Sequence, residues 1–116
     1  MGVLSDLEPK RVFEIFEELC AIPHGSTHTK AISDWCVEFG KQLGLEHYQD
    51  TANNVILIAP ATPGYENAPA VIMQGHLDMV CEKEPGCAKN MDTEGLDLVV
   101  EGDVVGARGT TLGSDD

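Results

Sequence analysis

The chain has 116 residues, a length that fits one domain at most. Hydrophobic residues make up 42% of it, which is enough for a core and is typical of a globular rather than a disordered protein. Its formal net charge of −13 argues against binding to nucleic-acid backbones or anionic membranes, because both need basic patches.

Two amphipathic helices are predicted in the first 44 residues. The first begins near Glu8 and ends before Pro23. Its apolar stripe consists of Val12, Phe13, Ile15, Phe16, Leu19 and Cys20. The second is expected to be capped by Ser26 or Thr27 and to stop at Gly44. It should bury Ile32, Trp35, Cys36, Phe39 and Leu43.

Strands dominate the rest of the chain. Residues 45–50 and 54–59 predict a hairpin whose turn lies at 51–53, where Asn and Asp tolerate turn geometry. Residues 96–100 and 104–107 predict a second hairpin. The order of elements predicts an α/β fold, the amino-terminal part of an α/β sandwich around a mixed sheet.

Between the two hairpins, the apolar run Ala70–Gln74 predicts a central strand. It follows an exposed, proline-rich loop over residues 60–69 and precedes a polar, irregular segment over residues 81–95. The acidic residues Asp92, Glu94, Asp97 and Asp103 lack the spacing of an EF-hand and predict a solvated surface.

The compartment is predicted from what the sequence does not contain. No apolar run reaches the length of a bilayer-spanning helix, and the chain start has neither the basic nor the apolar region of a secretion signal. Without a secretory context, the four cysteines are expected to be reduced thiols: Cys20, Cys36, Cys81 and Cys87. We therefore expect a cytoplasmic protein.

A histidine and an aspartate follow the predicted central strand, two positions apart. Side chains alternate along a strand, so His76 and Asp78 can face one pocket at the carboxyl end, where α/β sheets place ligands. The carboxylate of Asp78 could hold one ring N–H of His76 and fix the tautomer whose other nitrogen binds a metal. An isolated His-x-Asp is more often a buried histidine bonded to a neighbouring carboxylate.

A glycine-rich segment, Gly106–Asp116, ends with two adjacent carboxylates. Carboxylate oxygens combined with imidazole nitrogens suit zinc and its neighbours in the transition series. One carboxylate can also bridge two ions about 3.5–4 Å apart, as in co-catalytic sites. The two segments together therefore favour a metal site.

Four segments resemble one family. Gln74–Val80 and Ala107–Asp116 are similar to the two opening signatures of the M20 metallopeptidases, and most similar to those of the aminoacyl-histidine (Xaa-His) dipeptidases. The resemblance continues through Ala21–Ser26 and Asn53–Ile56, so it covers nearly the whole chain in order.

The resemblance implies a role for each site residue. His76 would bind one zinc ion, Asp115 would bridge two zinc ions, and Asp78 would act as the catalytic-site residue that orients His76. Cobalt and manganese are alternative metals. The implied activity is metal-dependent hydrolysis of small peptides, namely dipeptides of the Xaa-His type, by a homodimer. The acidic charge predicts no nucleic-acid or membrane partner.

In the family, the pattern continues past the bridging aspartate with a catalytic glutamate and a metal-binding glutamate. The pair Glu17-Glu18 cannot replace them, because it lies in the first predicted helix. We therefore expect residues 1–116 to be the amino-terminal portion of a metallopeptidase catalytic domain, without the rest of that domain and without the lid or dimerisation domain. Alone, it should be inactive.

Alternatives remain open at this point. The substrate could be that of another M20-type hydrolase, a tripeptidase, aminoacylase or carboxypeptidase, although Arg108–Gly113 favours the dipeptidases. The chain could also be a non-catalytic structural module. His24 and His28 are spaced as metal ligands on a helix would be, but Gly25 and its neighbours favour a loop there. The roles of His24 and of the loop carrying Cys81 and Cys87 are not determined.

Overall fold

A computed structural model describes residues 2–113 and contains two helices and two antiparallel hairpins, which confirms the α/β class. The elements are α1 (Lys10–Cys20), α2 (Lys30–Gln42), β1 (Glu46–Gln49), β2 (Val55–Ile58), β3 (Leu98–Glu101) and β4 (Val104–Ala107). The chain divides into two compact units, one formed by the segments up to Ile32 and from His76 onward, the other by Ser33–Gly75. Within the described residues, neither helix has the length and apolarity that crossing a bilayer requires.

The first unit is built on α1. Of the predicted apolar stripe of this helix, Cys20 is buried, Val12 is 59% exposed, and the other members are half-buried. Leu4 is buried beside the helix and donates its backbone N–H to Glu17 over 3.0 Å. At the other end of α1, the N–H of Leu96 donates to the carbonyl oxygen of Cys20 over 2.9 Å. This bond attaches the residues before β3 to the end of the helix.

The side chain of Lys89 organises part of the irregular segment between residues 81 and 97. The side chain of Lys89 is only 8% exposed. Its ammonium group donates to the carbonyl oxygen of Gly95 over 2.7 Å and lies 3.0 Å from the Asp97 carboxylate and 3.9 Å from that of Glu94. Because a buried ammonium needs partners, these acidic residues are partly structural and not only a solvated surface.

The second unit contains most of α2 and the hairpin of β1 and β2, paired from Glu46↔Ile58 to Gln49↔Val55. The predicted turn is confirmed. Asp50 accepts hydrogen bonds from the backbone N–H groups of Ala52 and Asn54, at 3.0 and 2.8 Å, and from the Asn54 amide at 2.9 Å. These donors, the Asn54 side chain first, hold the pKa of Asp50 below its ordinary value.

Within this unit, α2 is joined to β1 by side-chain hydrogen bonds. The amide of Gln49 donates to the buried hydroxyl of Ser33 over 2.7 Å and to Asp34 over 3.0 Å. The rings of Trp35 and Phe39 stack on the helix with centroids 5.1 Å apart. The hydrogen bonds of Gln49 thus form a polar link between the helix and the hairpin.

Two sequence-based expectations about α2 are wrong. The helix begins at Lys30, so neither Ser26 nor Thr27 caps it. The hydroxyl of Ser26 instead donates to a residue 52 positions away in sequence. Leu43, expected in the core, is 58% exposed because the helix ends at Gln42.

The thiol of Cys36 provides a pH test of α2 packing. Burial raises the pKa of this thiol, because the fold disfavours the thiolate. The contribution of the protonated Cys36 thiol to the free energy of unfolding is fully present below the unfolded-state pKa of a thiol, about 8.5. It is lost as the pH rises through the higher folded-state pKa. We expect Cys36→Ala to remove part of the decline in unfolding free energy between pH 8 and 10, measured by denaturant titration. An unchanged pH dependence would contradict the assignment.

The predicted strand over Ala70–Gln74 is not formed among the described residues. The segment has no assigned secondary structure, and Val71, Ile72 and Met73 are 85%, 89% and 94% exposed. An apolar run becomes a strand only when a neighbouring strand satisfies its backbone groups, and residues 2–113 supply no such neighbour here. Parallel pairing, which a mixed sheet requires, occurs in the described part of the chain as the isolated bridge between Gly25 and Met79.

Candidate functional site

His76 and Asp78 are in direct contact although the segment that carries them is not an assigned strand. The Nδ1 atom of His76 lies 3.0 Å from Oδ1 of Asp78 and 2.9 Å from the Asp78 carbonyl oxygen. The carbonyl oxygen and the ionised carboxylate oxygen of Asp78 are both acceptors. The Nδ1 atom of His76 therefore carries a proton and donates it to them. In that neutral tautomer the lone pair lies on Nε2, the atom that a metal would bind.

The other oxygen of Asp78 has a partner of its own. The hydroxyl of Ser26 donates to Oδ2 of Asp78 over 2.7 Å. This hydrogen bond, with a smaller contribution from His76, holds the pKa of Asp78 below its ordinary value. The carboxylate is therefore ionised at neutral pH and is held at both oxygens.

The loop carrying Ser26 is attached to the residue that follows Asp78. The N–H of Met79 donates to the carbonyl oxygen of His24 over 3.0 Å, and the N–H of Ser26 donates to the carbonyl oxygen of Met79 over 3.2 Å. Gly25 and Met79 thereby form a parallel bridge. A Cβ on Gly25 would lie 2.5 Å from the Sγ of Cys81, so a larger residue here would require the Cys81 side chain to move.

A second attachment brings the glycine-rich segment to the residues after Met79. The Thr111 hydroxyl donates to the carbonyl oxygen of Val80 over 2.6 Å and accepts from the N–H of Glu82 at 3.2 Å. The N–H of Thr111 donates back to Glu82 over 3.0 Å, and that of Glu84 donates to Gly109 over 2.8 Å. Two distant parts of the sequence therefore run side by side.

The same segment then passes directly against Met79. A Cβ placed on Gly113 would lie 2.8 Å from the Cβ of Met79, closer than two such atoms normally approach. Gly113 therefore permits a backbone approach that a larger residue would prevent. His76 and Asp78 lie within three residues of this contact.

Of the three predicted site residues, the structure brings His76 and Asp78 together, while Asp115 lies outside the described residues. Across residues 2–113, no three His, Cys, Asp or Glu side chains converge as a metal-binding group. The donor chemistry of His76 nevertheless fits a zinc ligand, because its tautomer is fixed by a carboxylate. The described part of the chain thus contains a histidine whose tautomer suits metal binding, held by a neighbouring carboxylate.

His24 and His28 do not form a joint site. His24 is 2% exposed, and its Nδ1 donates to the carbonyl oxygen of Ile22 over 2.6 Å. Its Nε2 is buried with no hydrogen-bond partner in the described structure, beside a small cavity. That cavity is lined mainly by apolar and sulfur-containing side chains, including Cys20, Met79, Cys81 and Met91. His28 is instead exposed, 3.9 Å from an Asp92 oxygen.

The four cysteines are free thiols, as the sequence predicts. Burial, with smaller contributions from the acidic residues Asp92 and Glu82, raises the pKa of the Cys81 thiol. The loop that carries Cys81 and Cys87 is therefore not held by a disulfide.

Sequence reasoning missed two residues of this region. Ser26 was expected to cap a helix, and Thr111 was given no role. Both were missed because their side chains donate hydrogen bonds to atoms about 30 to 50 residues away in the sequence. The only available signal was that both lie in segments resembling family motifs. Nothing in their local sequence specifies the partner.

Comparisons with known proteins place the chain beside two dipeptidases. The chain is 36% identical to the cytosol non-specific dipeptidase of Escherichia coli over 115 residues, covering 99% of the chain and 24% of that protein. It matches the crystal structure of an aminoacylhistidine dipeptidase from Vibrio alginolyticus with a TM-score of 0.91 and 34% identity, covering 98% of the chain and 23% of that structure. No protein-family model matches the chain.

The chain is thus a homologue of dipeptidases and shares its fold with part of one, which confirms the resemblance seen in the sequence motifs. It spans about a quarter of the length of each of these relatives.

Proposed function

We propose that this chain forms part of the catalytic domain of a zinc-dependent dipeptidase. The observation that carries the proposal is the convergence of the two predicted motifs at Met79. Asp78 directly precedes Met79, His76 lies three residues before it, and Gly113 packs against it. Asp115 follows Gly113 by two residues, and two residues of chain span at most about 7 Å. This chain length allows Asp115 to lie near His76, and we propose that the two side chains bind a common pair of cations.

Each residue has a defined part in this site. His76 would bind one zinc ion through Nε2, Asp115 would bridge two, and Asp78 would hold the His76 ring by its Nδ1–H. When bound, the two ions supply a water of lowered pKa and polarise the scissile carbonyl. The general base would be a glutamate that the 116 residues do not include. Accordingly, we expect residues 1–116 by themselves to have no peptidase activity.

The proposed substrate is a dipeptide. One relative is named as a non-specific dipeptidase and the other as an aminoacylhistidine dipeptidase, so both Xaa-His dipeptides and other dipeptides are candidates. We propose Xaa-His dipeptides as the preferred class, on the resemblance of Arg108–Gly113. We also propose a cytoplasmic location, which the name of the cytosolic relative supports, and a homodimeric whole protein remains a prediction.

Metal removal tests this function in the whole protein that contains the chain. We expect chelator-treated protein to lose hydrolysis of an Xaa-His dipeptide and to regain it on addition of zinc, with cobalt and manganese compared in parallel. Metal analysis should give two ions per active site. A panel of dipeptides, a tripeptide and an N-acyl amino acid identifies the substrate class. Full activity after complete metal removal would refute the proposal.

A further inference from the structure

We infer that Ser26 is a positioning residue of the proposed metal site, acting on His76 through Asp78. The inference rests on the proposed function and adds Ser26, which the sequence had marked only as a possible helix cap. It is carried by two consecutive contacts: the Ser26 hydroxyl to Oδ2 of Asp78 at 2.7 Å, and Oδ1 of Asp78 to Nδ1 of His76 at 3.0 Å, which make Nε2 the nitrogen that would bind a metal.

The carboxylate of Asp78 needs an external constraint to orient a ligand. Its side chain is 42% exposed, and rotation of a carboxylate about its last side-chain bond is soft. The imidazole also contacts the Asp78 carbonyl oxygen at 2.9 Å, but its bond to Oδ1 alone would leave the carboxylate plane free to turn. A second bond, from Ser26 to the opposite oxygen, fixes the carboxylate plane and so helps to hold the ring.

Ser26 can act as this constraint because its own backbone is held. The two hydrogen bonds between Met79 and residues 24 and 26 place the Ser26 backbone beside the residue that follows Asp78. His24, next to Gly25 in the same loop, is buried and donates to the carbonyl oxygen of Ile22. The hydroxyl therefore projects from a loop that is anchored on both sides of Gly25.

The chemistry of Ser26 also suits the task. Its hydroxyl is neutral and donates to the carboxylate without adding positive charge near the metal. A lysine or arginine in its place would add such a charge. Loss of an outer partner of a metal-binding histidine typically weakens metal affinity about 10- to 100-fold. Since Ser26 acts one bond further away, we expect an effect of about tenfold.

The test compares three variants of the whole protein with the unaltered protein. Ser26→Ala removes the hydroxyl, Ser26→Thr restores it at an exposed position, and Thr27→Ala removes a neighbouring hydroxyl that lies beside His28 and does not contact Asp78. The readouts are zinc affinity by competition with a chromogenic chelator, kcat and KM for an Xaa-His dipeptide, and the thermal unfolding midpoint of the metal-free protein.

We expect Ser26→Ala to bind zinc about tenfold more weakly and to lose kcat with little change in KM, while its metal-free unfolding midpoint stays the same. Ser26→Thr should recover most of the affinity, and Thr27→Ala should match the unaltered protein. Together these results support the inference.

Two results would overturn it while leaving the proposed function intact. One is Ser26→Ala with unchanged zinc affinity in a protein that hydrolyses dipeptides. The other is an equal loss in Ser26→Ala and Ser26→Thr accompanied by a lower unfolding midpoint, which indicates a purely structural role. If the unaltered protein neither binds zinc nor cleaves dipeptides, the proposed function fails and the inference fails with it.

Discussion

Replacing His76 with alanine should abolish most zinc binding and dipeptide hydrolysis in the whole protein. The substitution removes the nitrogen that would bind one ion and leaves the Asp78 carboxylate without the ring that it holds. Metal polarisation contributes several kcal/mol to catalysis, and about 1.4 kcal/mol corresponds to a factor of ten, so we expect kcat/KM to fall by at least about 10³-fold. Zinc content by elemental analysis and initial rates measure the two effects.

His47→Ala is the matched control, because His47 also bonds a backbone carbonyl two residues away but lies on β1, in the other compact unit. It should keep both zinc and activity. Asp115→Ala should behave like His76→Ala, since the bridging carboxylate would contact both ions. If both site variants keep full zinc occupancy and the full rate, the chain is not part of a metallopeptidase site.

The second large effect is expected on stability, at Gly95. This residue lies against the end of α1, where an added Cβ would be 2.6 Å from the carbonyl oxygen of Ala21 and 2.8 Å from its Cα. Backbone atoms cannot move aside as a flexible side chain can, and the adjacent bond from Leu96 to Cys20 fixes the same contact. We expect Gly95→Ala to lower the free energy of unfolding by about 1–3 kcal/mol, measured by denaturant titration.

Gly106→Ala is the control for that measurement. Gly106 lies in β4, and the nearest atom to its added Cβ is Cγ2 of Val99 at 3.9 Å, an ordinary van der Waals distance. The two variants make the same chemical change, so their difference isolates the clash with Ala21. Equal unfolding free energies for the two variants would show that the approach at Gly95 is not tight.

Local patterns predicted the elements of regular structure well. Apolar spacing placed both helices, and the turn residues Asp50 and Asn53 placed the first hairpin, because each depends on contacts within a few residues. The second hairpin formed around Gly102, which has a φ of 61° that suits glycine. These are features that neighbouring side chains and backbone preferences determine directly.

Predictions that depended on distant neighbours were less accurate. The apolar run Val71–Met73 has strand composition but is exposed, because a strand also requires a partner to pair with its backbone. Serine is a common helix-capping residue, but the hydroxyl of Ser26 instead donates a hydrogen bond to Asp78. In both cases the local signal was genuine, and the deciding contact lay far away in the chain.

The sequence by itself determined the chemistry that this chain can offer: an imidazole and a carboxylate two residues apart, a second acidic segment, and motifs that resemble those of dipeptidases. It did so because spacing and residue type decide which atoms can bind a cation or hold a ring. Only the tertiary structure decided that the loop of Ser26 is attached beside Asp78 and that Gly113 packs against Met79. Those approaches depend on backbone hydrogen bonds and close packing between segments 30 to 50 residues apart, which no local pattern encodes.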